Sequence, residues 1–142
     1  MRACSNDTLV TVAKVDALAD WVRTFGKRIT GVYVTHGHPD HWIGLARLQE
    51  HFSEARGIAT PEVVARARFE VTNPGLVAYW RNSFPGELPE TLVLPEELTA
   101  PEFELEGHTL RAVSVGQGDT EYSTVLHVPS AAVLSVVTSF TT

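Results

Sequence analysis

Three histidines and an aspartate fall within the run Thr35-His36-Gly37-His38-Pro39-Asp40-His41. Neutral imidazole is the commonest transition-metal ligand, and a carboxylate among several histidines suits Zn, Fe or Mn. His36 and His38, two residues apart in an extended turn, can point the same way and chelate one ion. Asp40 and His41 lie past Pro39 and can face a second. Ions so placed activate a water for attack on a carbonyl or phosphoryl centre. The plainer alternative is an exposed polar turn whose histidines act as caps. Four ligand-type side chains packed this closely after an apolar strand argue against it.

The flanking segments must position that turn. Ile29 to Thr35 is apolar or β-branched and reads as a strand buried on both faces. A helix from about His41 to Phe52 follows, with Leu45, Leu48 and Phe52 on one face. Upstream, Val12, Val15, Leu18, Ala19, Val22 and Phe25 recur at helical spacing, with Thr11 as cap and Gly26 at the end. Residues 1–8 read as irregular. Downstream, Gly57 to Thr60 is a short strand, and Thr60-Pro61 opens a helix to about Glu70. Residues 72–101, crossed by several prolines, read as a loop-rich insertion with one or two helical turns at Leu76 to Trp80. Trp80, Phe84 and Leu88 are candidates for a pocket wall or for packing that loop. A hairpin over 103–113 turns at Glu106-Gly107. Then come a glycine-bearing loop, a strand from Ser123 to Val128, a turn at Pro129-Ser130, and a last strand from Ala132 to Val137.

The length of 142 residues fits one domain spanning 1–142. The net charge of -6 argues against a phosphate-binding surface, so the expected partner is a small-molecule substrate and no nucleic acid. Arg56, Arg66 and Arg68 read as solvated positions. Cys4 is the only cysteine, which excludes an intrachain disulfide. The amino end lacks an apolar signal-peptide core, and the stretch 131–137 is too short to span a bilayer. The expectation is a cytoplasmic protein without a membrane partner.

The histidine run resembles the His-x-His-x-Asp-His signature of the metallo-β-lactamase superfamily. Gly116-Gln117-Gly118-Asp119-Thr120, followed by Ser123-Thr124-Val125-Leu126-His127-Val128-Pro129, resembles its second motif region. The likeness runs from about Val12 to Val137. It implies an α/β (α+β) fold, the αβ/βα sandwich, with a one- or two-metal site at the sheet edge. It also implies hydrolysis of β-lactams, lactones, thioesters or phosphodiesters, or redox chemistry on sulfur. By motif match, His36 and His38 hold a first metal and Asp40 and His41 a second. Asp40 also orients or deprotonates the water.

Gln117 stands where the family has a third histidine and is a weak, neutral ligand candidate. Val137-Thr138 stands where the family has a Gly-Asp. The family's last ligand histidine lies past Thr142, and the opening strands that precede the family's first helix are expected to be missing. The sandwich is therefore expected to be incomplete at both ends, with one Zn2+ (Fe or Mn as alternatives) rather than two. Asp119 is expected to cap its turn, with ligand replacement as its other role. The expected function is a metal-dependent hydrolase acting on an ester, thioester, lactone or amide. The alternatives are a catalytically impaired remnant and an interaction module, a homo-oligomer through exposed sheet edges.

Overall fold

The helices and strands are laid down by two kinds of periodicity. The computed structural model describes residues 1–135. Its first half comprises β1 (Arg2–Asn6), α1 (Val12–Thr24), β2 (Arg28–Tyr33), a 3₁₀ turn (Pro39–His41), α2 (Leu45–His51) and β3 (Arg56–Ala59). Next come α3 (Pro61–Thr72), α4 (Pro74–Ser83) and β4 (Glu96–Glu97). Then follow β5 (Glu102–Leu105), β6 (His108–Gly116), β7 (Ser123–Val128), a 3₁₀ turn (Pro129–Ala131) and β8 (Val133–Ser135).

Strands β1 to β4 form a parallel sheet in that order. Helices α1, α2 and α3 cover one face through Val15, Ala19, Leu45, Leu48, Val63, Val64 and Ala67, packed with Ile29, Val32 and Val34 of the β2 segment. Burying each larger aliphatic side chain is worth about 1.5–3 kcal/mol, so this layer dominates the stability. The opposite face meets an antiparallel sheet, β5-β6-β7-β8, across Tyr33, Leu110 and Leu126. The result is the expected α/β architecture of two facing sheets with helices outside the first. Among the described residues, no helix is long and apolar enough to cross a membrane.

The local signals hold at several points. Thr11 Oγ1 accepts the Lys14 amide at 3.3 Å at the start of α1. Gly26 takes φ 64° just past its end. Glu106 and Gly107 both have positive φ, 48° and 82°, as the two-residue turn between β5 and β6 requires.

Three expectations are corrected. Residues 2–6 form a strand, because β2 offers them a parallel partner in spite of their polar sequence. The segment at Leu76–Trp80 is part of the longer α4, which opens with Pro74 and is capped by Asn73, whose side chain accepts the Gly75 amide at 3.1 Å. The helix expected from His41 to Phe52 is broken. The amides of Trp42 and Ile43 both return to the Pro39 carbonyl, and α2 starts only at Leu45. The final strand is described for Val133–Ser135, so Val137 and Thr138 lie outside the described residues.

Gly44 sits at that break. A Cβ there would overlap the Leu9 carbonyl oxygen and lie 2.7 Å from Val15 Cγ2. Backbone cannot retreat as a flexible side chain can. Gly44→Ala is therefore expected to cost about 1–3 kcal/mol of stability, read as a lower urea midpoint at unchanged m-value.

Candidate metal centre

Strand β2 ends at Tyr33, and the chain runs through Val34 and Thr35 into the histidine turn. At the same end of the neighbouring β1, Asp7 takes a left-handed conformation, φ 61°, which Asp tolerates better than most residues. Its buried carboxylate accepts from the Thr35 amide at 2.7 Å, the Thr35 hydroxyl at 2.8 Å and His41 Nδ1 at 3.0 Å. The Nδ1 proton of His41 is thereby fixed.

The same logic fixes His36. The Thr35 hydroxyl spends its proton on Asp7, so its oxygen accepts from His36 Nδ1 at 3.1 Å. Nε2 of His36 is left with its lone pair. That atom is buried without a hydrogen-bond partner, and it faces Asp119 Oδ2 at 3.2 Å. Burial, then the charge of His41, lowers the His36 pKa below its ordinary value. Two electron-pair donors thus face each other with no proton between them.

Asp119 is delivered by the loop between β6 and β7. A Cβ on Gly118 would lie 2.8 Å from the Ser123 side chain, so only glycine lets the loop close here. The loop is fastened to the turn by β7. The Thr124 amide and hydroxyl both donate to the Thr35 carbonyl, at 2.9 and 2.7 Å. Tyr33 OH in turn donates to Thr124 Oγ1 at 2.6 Å. Burial pushes that phenol up to about 12.

His36, His38 and Asp119 each offer a ligand atom, all within 4.8 Å of one another. His38 Nδ1 lies 2.8 Å from Asp119 Oδ2. The turn itself is held shut by the Trp42 indole, which donates to the Gly37 carbonyl at 2.9 Å. The His41 ring lies against His36 at a tilt of 48°, with centroids 3.7 Å apart, and its Nε2 lies 3.3 Å from Asp40 Oδ2. Gln117 is exposed on the same loop that carries Asp119.

Sequence reasoning missed Asp7 entirely and gave Asp119 first to turn capping. Asp7 follows a polar segment that carries no periodic signal. Asp119 could have been found from its place between Gly118 and Thr120 in the motif-like loop. Trp80 and Leu88 line a small cavity with Pro39 and Trp42, while Phe84 stacks on Trp80.

Burial alone would lower the His41 pKa, but the Asp40 and Asp7 carboxylates outweigh it and raise it to about 9. Asp40 is also partly desolvated, yet the adjoining His41 holds its carboxyl below the ordinary range. A raised His41 stabilises the fold fully below its unfolded value near 6.5, and that contribution is lost as pH rises through about 9. Neutral His36 has the opposite demand and costs stability below about pH 6.5. Metal-free protein is therefore expected to be most stable near neutrality, falling on both sides. Urea unfolding from pH 5 to 10 tests this, and Asp7→Asn should shrink the alkaline fall.

The family model for the metallo-beta-lactamase superfamily matches residues 7–136. No curated protein matches the chain. Among solved structures, a metallo-beta-lactamase from Pontibacter korlensis is 16% identical with a TM-score of 0.67, over 92% of this chain and 52% of that one. A beta-lactamase domain protein from Burkholderia ambifaria is 17% identical with a TM-score of 0.62, over 94% and 42%. The metallo-beta-lactamase FIM-1 from Pseudomonas aeruginosa, in a mono-zinc form, is 17% identical with a TM-score of 0.59, over 94% and 50%. These likenesses concern the fold, and the chain spans about half the length of the structures it matches.

Proposed function

This chain belongs to the metallo-beta-lactamase superfamily, and from that premise we propose that it hydrolyses an ester, thioester, lactone or amide with one divalent ion, zinc foremost. The ion's ligands in this reading are His36, His38 and Asp119. The observation that carries it is the pair of facing electron-pair donors, the buried His36 Nε2 and the more exposed Asp119 Oδ2, 3.2 Å apart. His38 Nδ1 is hydrogen-bonded to the same Asp119 oxygen at 2.8 Å, and a divalent ion would join all three donors at one centre. Two imidazoles and a carboxylate are also a donor set of catalytic zinc sites. Asp119 supplies the third donor in this reading, in place of Gln117 on the same loop.

When bound, the ion supplies Lewis-acid polarisation and an activated water. The rest of the chemistry falls to this chain's own side chains. Asp40, kept ionised by His41, orients the attacking water and accepts its proton. His41 is held by Asp7 and so fixes Asp40 in turn. Thr35 holds His36 in the tautomer that presents Nε2.

Titration of metal-free protein with Zn2+ should end near one ion per chain, and a stoichiometry near zero would sink the proposal. Asp119→Asn and His38→Ala should each weaken zinc binding by at least roughly 10- to 100-fold. With generic ester, thioester and lactone substrates, Asp40→Asn should keep its zinc yet lose roughly 10²- to 10⁴-fold in kcat.

A further inference from the structure

Gly37 lies between His36 and His38, and α3 packs directly on it. A Cβ at Gly37 would overlap Arg66 Cβ and Cγ and stand 3.1 Å from the Ala67 amide nitrogen. The stem of Arg66 therefore lies flat on the turn that carries two of the ligands. Arg66 is not the freely solvated position that its sequence context suggests.

Its head is fixed as well as its stem. Glu70, one helical turn on and 3% exposed, takes both Nε and Nη2 of Arg66 on a single oxygen, Oε1, at 3.0 and 2.5 Å. Phe69 places its ring centroid 5.4 Å from Cζ. A guanidinium has five N–H donors, and Glu70 uses two of them. The remaining Nη1–Nη2 edge has no hydrogen-bond partner among the described residues, and the side chain is 41% exposed. That edge is the fork that grips a carboxylate through two parallel hydrogen bonds. A fork locked before binding loses little entropy when it is used.

The charge balance calls for such a device. The chain carries a net charge of -6, and Asp7, Asp40 and Asp119 surround the histidines. An anionic substrate would be repelled without a cation at the turn. We propose that Arg66 is a specificity-determining residue that receives a carboxylate borne by the substrate, which makes the preferred substrates acidic esters, thioesters or amides. This inference rests on the hydrolase reading above. The plainer role for Arg66 is to neutralise Glu70. Arg66→Lys separates the two, because it keeps the charge and loses the fork.

The test compares a monoester of glutarate with the acetate ester of the same alcohol, on zinc-loaded wild type, Arg66→Lys and the double variant Arg66→Gln/Glu70→Gln. The double variant leaves no buried charge unpaired, so it guards against a folding failure. Zinc uptake should be unchanged in both variants. The glutarate monoester should lose roughly 10- to 100-fold in kcat/KM, chiefly through KM, while the acetate ester stays within about twofold. Equal losses on both esters, or none on either, overturn the proposal. Calorimetric titration of the metal-free protein with glutarate gives a readout independent of turnover. Its affinity should fall by a similar factor in Arg66→Lys, and an unchanged affinity counts against the fork. If neither ester is hydrolysed by wild type, the hydrolase reading fails, and the glutarate titration still decides the role of Arg66.

Discussion

The buried carboxylate of Asp7 is the constraint on which the centre depends. An ionised carboxylate out of water costs several kcal/mol unless its lone pairs are filled. Here three donors fill them, and they come from the end of β2 and from the histidine turn. Satisfying one charge therefore ties β1, β2 and the turn together at one point. It also sets the protons: His41 must donate Nδ1 to Asp7, and Thr35, having donated its hydroxyl proton, must accept from His36. A single buried group thus selects the tautomers of two histidines.

The second sheet reaches the same point by a separate route. Side chains of a strand alternate between faces. Val32 and Val34 enter the helical layer, and Tyr33 between them enters the space between the sheets. Its hydroxyl leads to Thr124 and then to the Thr35 carbonyl. The strand that carries the histidines is in this way the strand on which the two sheets meet. The loop before Thr124 carries Asp119, so docking the sheets also brings a carboxylate to the histidines. The contacts that join the two sheets therefore also place the site.

That coupling explains what could be read from sequence. The β2 segment, α1 and the Glu106-Gly107 turn declare themselves, because each rests on local period or turn chemistry. The histidine turn does too, since its ligand types are contiguous. β1 does not, because Arg2 to Asn6 is polar and becomes a strand only when Cys4, Ser5 and Asn6 find Gly31, Val32 and Tyr33 as partners. Asp7 is invisible for the same reason, as its role consists wholly of contacts to residues 35 and 41. The break before α2 seats Gly44 close against the Leu9 carbonyl, a contact no window of sequence contains. Arg66 looks solvated in sequence because the glycine it lies on is far away in the chain.

The centre divides into two halves with different proton demands. His41 stands between two carboxylates, Asp7 and Asp40, and that half is complete with a proton. Charge on His41 acts on His36 across a ring separation of 3.7 Å and disfavours a second proton there. Burial works in the same direction. The half made of His36, His38 and Asp119 is therefore rich in electron pairs, with His36 disfavoured from taking a second proton. A divalent ion can engage that half with its charge concentrated on one centre and directed at three donors. Asp7 engages His41 through Nδ1, and Asp40 lies across the ring at Nε2. The asymmetry between the two halves follows from Asp7.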